Sequence, residues 1–218
     1  MRRAVPHAGF TLIELLVAIS VLGFIAVLGW RGLDSITRAR ESLNRELEQA
    51  RGLQIALAQW QTDCANAVDL DTLDGHAPLI IDGMRMTLAR RVQAEAHPGA
   101  LQLVTWRLRD NILSREESPS TRDLSQLDPW WQVAQSGSVP GIPLQKGVRS
   151  LVLRVWANDG RGWRSWEAGN SALTSRAALM NPQAGITSTQ IIWRGLEVSL
   201  QLEDRPAPLQ KIFMLGAM

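Results

Sequence analysis

The chain has 218 residues, 45% hydrophobic and 20% charged, which is enough apolar material for a folded domain and too much for a disordered chain. Its formal charge is +2 with a pI of about 9.3. Two of the 23 basic residues, Arg2 and Arg3, precede Gly9; beyond it 21 basic face 21 acidic residues, so the electrostatic case for nucleic acid fails. Cys64 is the sole cysteine, and His7, His76 and His97 are the sole histidines. An intramolecular disulfide and a multi-cysteine metal site are excluded, and no cofactor is expected.

Residues 10–30 form an apolar run of 21 residues with one charge, Glu14, closed by Arg31. As a helix rising about 1.5 Å per residue, such a run spans about 30 Å, the thickness of a hydrocarbon core. It has no polar stripe of the kind a buried soluble helix would show. Residues 10–30 therefore read as a transmembrane helix in contact with lipid.

Helical spacing continues past the apolar run. Leu33, Ile36, Leu43, Leu47, Leu53, Leu57, Trp60, Cys64 and Val68 recur at intervals of three, four or seven, which places them on one face. Five arginines (31, 38, 40, 45, 51) are balanced by Asp34, Glu41, Glu46, Glu48 and Asp63, and this polar face reads as solvated surface. No proline occurs between Pro6 and Pro78, and Gly23, Gly29, Gly32 and Gly52 each weaken a helix by up to about 1 kcal/mol relative to alanine. One helix is expected from about residue 10 to about residue 67, residues 31–68 being its amphipathic continuation.

From residue 69 onward the period changes to two. Alternation over 84–92, 101–109, 148–156 and 196–203 predicts half-buried antiparallel strands, and Leu209–Leu215 predicts a last one. Asn158-Asp-Gly-Arg-Gly signals a turn between Trp156 and Trp163. Ser114–Asp128 and Ala168–Gln190 read as polar loops. The expected class is α+β, a long N-terminal helix packed on an antiparallel β domain at 69–218.

Gly9-Phe-Thr-Leu-Ile-Glu-Leu-Leu-Val-Ala-Ile closely resembles the processing site of type IV pilins and type II secretion pseudopilins. The resemblance implies that a prepilin peptidase removes residues 1–9 by cutting after Gly9 and methylates the new amine of Phe10. It implies that Glu14 serves assembly by pairing with the free amine of a neighbouring subunit. Physics supports a role for Glu14 independently, since a carboxylate within a membrane span costs about 2.5–3.5 kcal/mol on insertion scales. An ordinary secretion signal fits worse, because Glu14 interrupts the apolar region and no A-x-A cleavage site follows it.

Trp30-Arg-Gly-Leu-Asp-Ser-Ile-Thr-Arg-Ala-Arg-Glu resembles the start of the J-type minor pseudopilins. Leu144–Trp156, Gly162–Trp166 and Gly195–Asp204 are similar to that family's strands, in order. The family implies a non-enzymatic tip subunit of a pseudopilus in a type II secretion system. It would be anchored once in the bacterial inner membrane with its domain in the periplasm. Its expected partners are the I-type and K-type minor pseudopilins, the H-type, the major pseudopilin and the prepilin peptidase. The alternative is a minor pilin of a type IV pilus or DNA-uptake system. Ile36 and Leu43, nearest the membrane and with least sheet to cover them, are the expected partner anchors.

Other motifs carry less. Asp69, Asp71 and Asp74 before Gly75 resemble part of a calcium loop, but Leu73 takes the place of the fifth-position oxygen ligand; turn chemistry accounts for these aspartates. His76 and His97 sit in Gly/Pro turns, and Cys64 reads as a small buried thiol. Trp30 suits an interfacial belt, and Trp60 and Trp106 suit packing of helix on sheet. Trp130-Trp131 and Trp163/Trp166 lie in or near loops, where part of their aromatic surface is available to a partner, with core packing the default for each.

Overall fold

Helix α1 runs without interruption from Leu12 to Ala65. The computed structural model describes residues 11–73, 77–94, 97–137, 141–157, 162–166 and 193–216. The chain divides into two compact units, one through Glu48 and the other from Gln49 onward. The expected end of α1 near residue 67 falls at Ala65 instead. Asn66 turns its side-chain amide back onto the Thr62 carbonyl (2.8 Å), and Ala67 forms a bridge with Arg90.

The second unit joins the C-terminal part of α1 to two antiparallel sheets. The first is a five-stranded meander: β1 (Leu79–Asp82), β2 (Arg85–Ala94), β3 (His97–Arg109), β4 (Ile112–Glu117) and β5 (Ile142–Lys146), in that spatial order. The second contains β6 (Val148–Ala157), β7 (Trp163–Ser165), β8 (Trp193–Leu202) and β9 (Leu209–Met214), ordered β7-β6-β8-β9. The α+β expectation holds, and the architecture is pilin-like. β6 and β7 pair antiparallel with Trp156 opposite Trp163, although most of the expected turn, 158–161, lies outside the described residues. The expected loop at Ala168–Gln190 also lies outside them.

One core unites the helix with both sheets. Leu53, Ala56, Trp60 and Cys64 from α1 meet Met86, Leu88, Val104, Trp106 and Leu113 of the first sheet. Val155, Leu196, Val198 and Phe213 of the second sheet complete it. Gly52 brings the α1 backbone against β5: a Cβ there would lie 2.7 Å from the Leu144 carbonyl oxygen.

One expectation for the middle of the chain is overturned, and the Trp130-Trp131 pair is placed. Ser114–Asp128 is not a loop throughout. Ser114–Glu117 lies within β4, and Leu124–Gln126 forms a 3-10 turn whose start is capped by Asp123, accepting from the Ser125 amide at 3.0 Å. Trp130 and Trp131 are not on a loop but on helix α2 (Leu127–Ser136). Pro129 fits because the first helical turn has no use for its missing N–H, and Gly137, at φ +67, closes the helix by donating to the Val133 carbonyl. Leu127 and Trp131 of α2 pack with Leu73, Ala89, Leu101 and Leu103 in a second apolar cluster, so Trp131 is core.

Trp163 and Trp166 follow the packing default. Trp163 is half-buried in β7 with its ring over Gly195, where an added Cβ would meet it at 3.0 Å. Trp166 is buried against Trp193, with centroids 5.5 Å apart and planes 47° apart.

Candidate functional site

The N-terminal helix carries the candidate site. Thr11 and Glu14 form a reciprocal cap: the Glu14 carboxylate accepts from the Thr11 amide and hydroxyl, both at 3.0 Å, and the Glu14 amide donates to the Thr11 hydroxyl at 3.4 Å. This is the capping-box arrangement, in which a Thr and a Glu three residues later satisfy each other's amides. Within an apolar span it removes two unsatisfied N–H groups and gives the lone carboxylate local partners. Gly9 and Phe10, the expected cleavage and methylation positions, lie outside the described residues.

From Leu12 the helix is exposed on every side through Trp30, and it is long and apolar enough to cross a bilayer. Past Arg31 the character changes. Leu33 (60% exposed), Ile36 (54%), Leu43 (57%) and Leu47 (66%) remain uncovered although the surrounding positions are polar. The expected anchors Ile36 and Leu43 are thus both surface residues, seven positions and two helical turns apart. On another side of the helix Asp34, Arg38, Glu41, Arg45 and Glu48 form a ladder of alternating charge. Arg38 pairs with Asp34, and the Arg45 Nε donates to the Glu41 carbonyl at 3.2 Å.

At its other end α1 is fixed by charge as well as by apolar contact. Asp63 is not solvated, as its place among the helix acids suggested, but fully buried. Its carboxylate accepts from Arg115 Nε and Nη2 at 2.8 and 2.7 Å, from Arg90 Nη1 at 2.9 Å, and from the Trp106 indole N–H at 2.9 Å. Glu117 closes the network with Arg115 and, at 2.8 Å, with Arg90. Burial works against the Arg115 charge, but hydrogen bonds and charges from Asp63 and Glu117 hold its pKa above the ordinary arginine value. The bidentate fork and four satisfied lone-pair sites are what make a buried ion pair tolerable. The spacing Leu53, Ala56, Trp60, Asp63 carried the signal for this, since it continues the buried stripe at three and four.

Cys64 is buried as expected, and burial, with the adjacent Asp63 charge adding, pushes its thiol well above the ordinary cysteine range. It is a packing residue with no thiolate to offer.

Two open clefts border α2, of about 360 and 310 Å³. The first is lined by Arg85, Arg107 and Arg109 with one acid, Asp82; the second holds one acid, Asp128. Neither brings two carboxylates together for acid–base work. Glu116, whose carboxyl is held above the ordinary range by burial against the opposing charge of Arg107, has that arginine as its neighbour at 3.6 Å. Among the described residues no three His, Cys, Asp or Glu side chains are grouped to hold a metal ion. Leu70–Leu73 of the aspartate-rich segment forms a 3-10 turn, and Asp74, Gly75 and His76 lie outside the described residues.

Compared with known families, residues 6–30 match the prokaryotic N-terminal methylation motif. No curated protein matches the chain. The motif match, together with the one helix among the described residues that is long and apolar enough to cross a membrane, supports a membrane-anchored, pilin-like protein.

Proposed function

We propose that this chain is a minor pseudopilin of a type II secretion system, a J-type subunit of the pseudopilus tip that primes filament assembly for protein export. The observation that carries the reading is the methylation motif at the head of a helix whose apolar residues stay exposed from Leu12 through Leu47. An uncovered helix of this length, with one carboxylate near its start, is a surface for assembly rather than for catalysis. The resemblance of Trp30–Glu41 and of three later segments to J-type minor pseudopilins supports the finer assignment. In this reading Gly9 and Phe10 are the cleavage pair, Phe10 carries the methyl group, and Glu14 pairs with a neighbour's amine. Ile36 and Leu43 anchor the I-type partner, with K-type, H-type and major pseudopilins completing the assembly, and the β domain stands in the periplasm.

Two measurements test it. Coexpressed with a prepilin peptidase, the chain should lose residues 1–9 and begin with N-methylated Phe10 by intact mass; retention of the leader overturns the pilin-like processing. Deletion of the gene should abolish export of type II substrates. Loss of pili or DNA uptake with export intact would assign the subunit to a type IV pilus machine instead.

A further inference from the structure

The exposed apolar residues beyond the membrane run follow a stricter pattern than amphipathicity requires. Leu33, Ile36, Arg40, Leu43 and Leu47 are separated by three, four, three and four residues, the 3.5-residue repeat of a coiled-coil seam. At 100° per residue the charge ladder from Asp34 to Glu48 lies roughly 140° around the helix from that seam. The ladder alternates in sign along its own length and pairs Arg38 with Asp34, so it neither needs nor recruits a partner. The seam is the reverse case: four large apolar residues lie open beyond the end of the membrane run, on the face turned away from Arg31, Asp34, Arg38 and Glu41.

Arg40 is the one charge within the seam. It is exposed and makes no hydrogen bond or ion pair among the described residues, and it stands with apolar layers on both sides of it. A polar residue at one core position of a coiled coil costs stability and selects partner and register. Two copies of this chain, each held by its N-terminal half in the same membrane, would pair in parallel and place Arg40 against Arg40. That like-charge layer works against self-association.

We infer that the seam from Leu33 to Leu47 takes a parallel helix of a different pilin-like chain, one presenting an aspartate or glutamate opposite Arg40 between apolar layers. Arg40 then selects the partner, while apolar contacts at Ile36 and Leu43 supply the affinity. The inference rests on the assembly reading above and narrows it: the partner helix is recognised by one acidic residue at a fixed height above the membrane.

The test uses the full chain in membranes, with Leu47→Cys as a cross-linking reporter and the native thiol removed by Cys64→Ala. Chains carrying Arg40 should cross-link weakly to one another. Coexpression of the Arg40 chain with an Arg40→Glu chain should raise the mixed cross-link at least fivefold over either self-pair, and Arg40→Leu should raise self-cross-linking by a similar factor. Equal yields in all combinations overturn the role of Arg40. Adding Leu43→Arg to the Arg40→Leu chain separates the two levels. If it abolishes cross-linking while the Arg40 combinations remain equal, the seam stands and the selectivity falls. If it changes nothing, the assembly face itself is wrong.

Discussion

The indole of Trp60 on α1 lies parallel to that of Trp106 on β3, with centroids 4.0 Å apart and planes within 6°. Both rings are fully buried, and the Trp106 N–H is spent on Asp63 while its face meets the helix. Stacking adds about 0.5–1.5 kcal/mol to the area the two rings bury. Trp60→Ala should therefore cost about 3–5 kcal/mol of stability in the β-bearing unit. Urea unfolding followed by near-ultraviolet circular dichroism checks this, and a loss below about 1 kcal/mol, outside the range for a buried aromatic, would mean the helix is not held by this stack.

Asp63 should be as sensitive for a different reason. Asp63→Asn leaves the Arg115 guanidinium buried with its main countercharge gone, a change expected to cost about 3–5 kcal/mol. Pairing Asp63→Leu with Arg115→Leu should recover much of that loss, because the stranded charge is removed with its partner. A double-mutant cycle reads the coupling directly, and additive single costs would show that the two charges act independently.

The helix and the longer strands were legible because they obey a period: three to four residues through Cys64, two residues through β2, β3, β6 and β8. The missed elements have physical reasons for being quiet. β1 is four residues, Leu-Ile-Ile-Asp, too short to alternate. β4 begins after Asp110-Asn111, whose positive φ values of 51° and 59° make a tight hairpin turn without the glycine that usually marks one. β5 contains Pro143, which lowers any strand reading. α2 opens with Leu-Asp-Pro-Trp-Trp, whose proline reads as a break unless it is placed in a first turn.

The functional positions divide along the same line. Glu14 stood out because one charge in an apolar run is conspicuous. Asp63 did not, since a charge among charges is ordinary until its partners arrive from β2 and β4, 27 and 52 residues away.

Glu116 should leave a signature in the pH dependence of stability. Burial raises its pKa in the folded chain, with Arg107 opposing, so the folded state binds its proton more tightly than the unfolded state does. Its contribution is fully present below the unfolded glutamate value and is lost as pH rises through the raised folded value. Glu116→Gln should flatten that decline, read as the change in urea midpoint between about pH 4 and about pH 7, a window that brackets the titration of a raised carboxyl. An unchanged slope would place the titration elsewhere.

Glu14 combines a cap with a charge, and substitutions can separate them. Glu14→Val should leave insertion intact or ease it by up to the about 2.5–3.5 kcal/mol that a central carboxylate costs, while assembly falls. Glu14→Gln keeps the capping geometry without the charge. It should assemble no better than Glu14→Val if, as proposed above, Glu14 supplies the countercharge for a neighbour's amine. Membrane fractionation and subunit cross-linking measure the two effects, and full assembly by Glu14→Gln would reduce the residue to a cap.

Gly52 has a consequence for solubility. β5 is the terminal strand of its sheet, and a bare terminal strand is a template on which strands from other chains can polymerise. The missing side chain at residue 52 lets α1 lie hard against the Leu144 carbonyl, which covers β5 at that point while Ile142 stays exposed. A bulkier residue would push α1 off β5 beside Leu53 and Leu144, which lie in and against the apolar core. Such a variant should bare the strand edge and aggregate as well as lose stability.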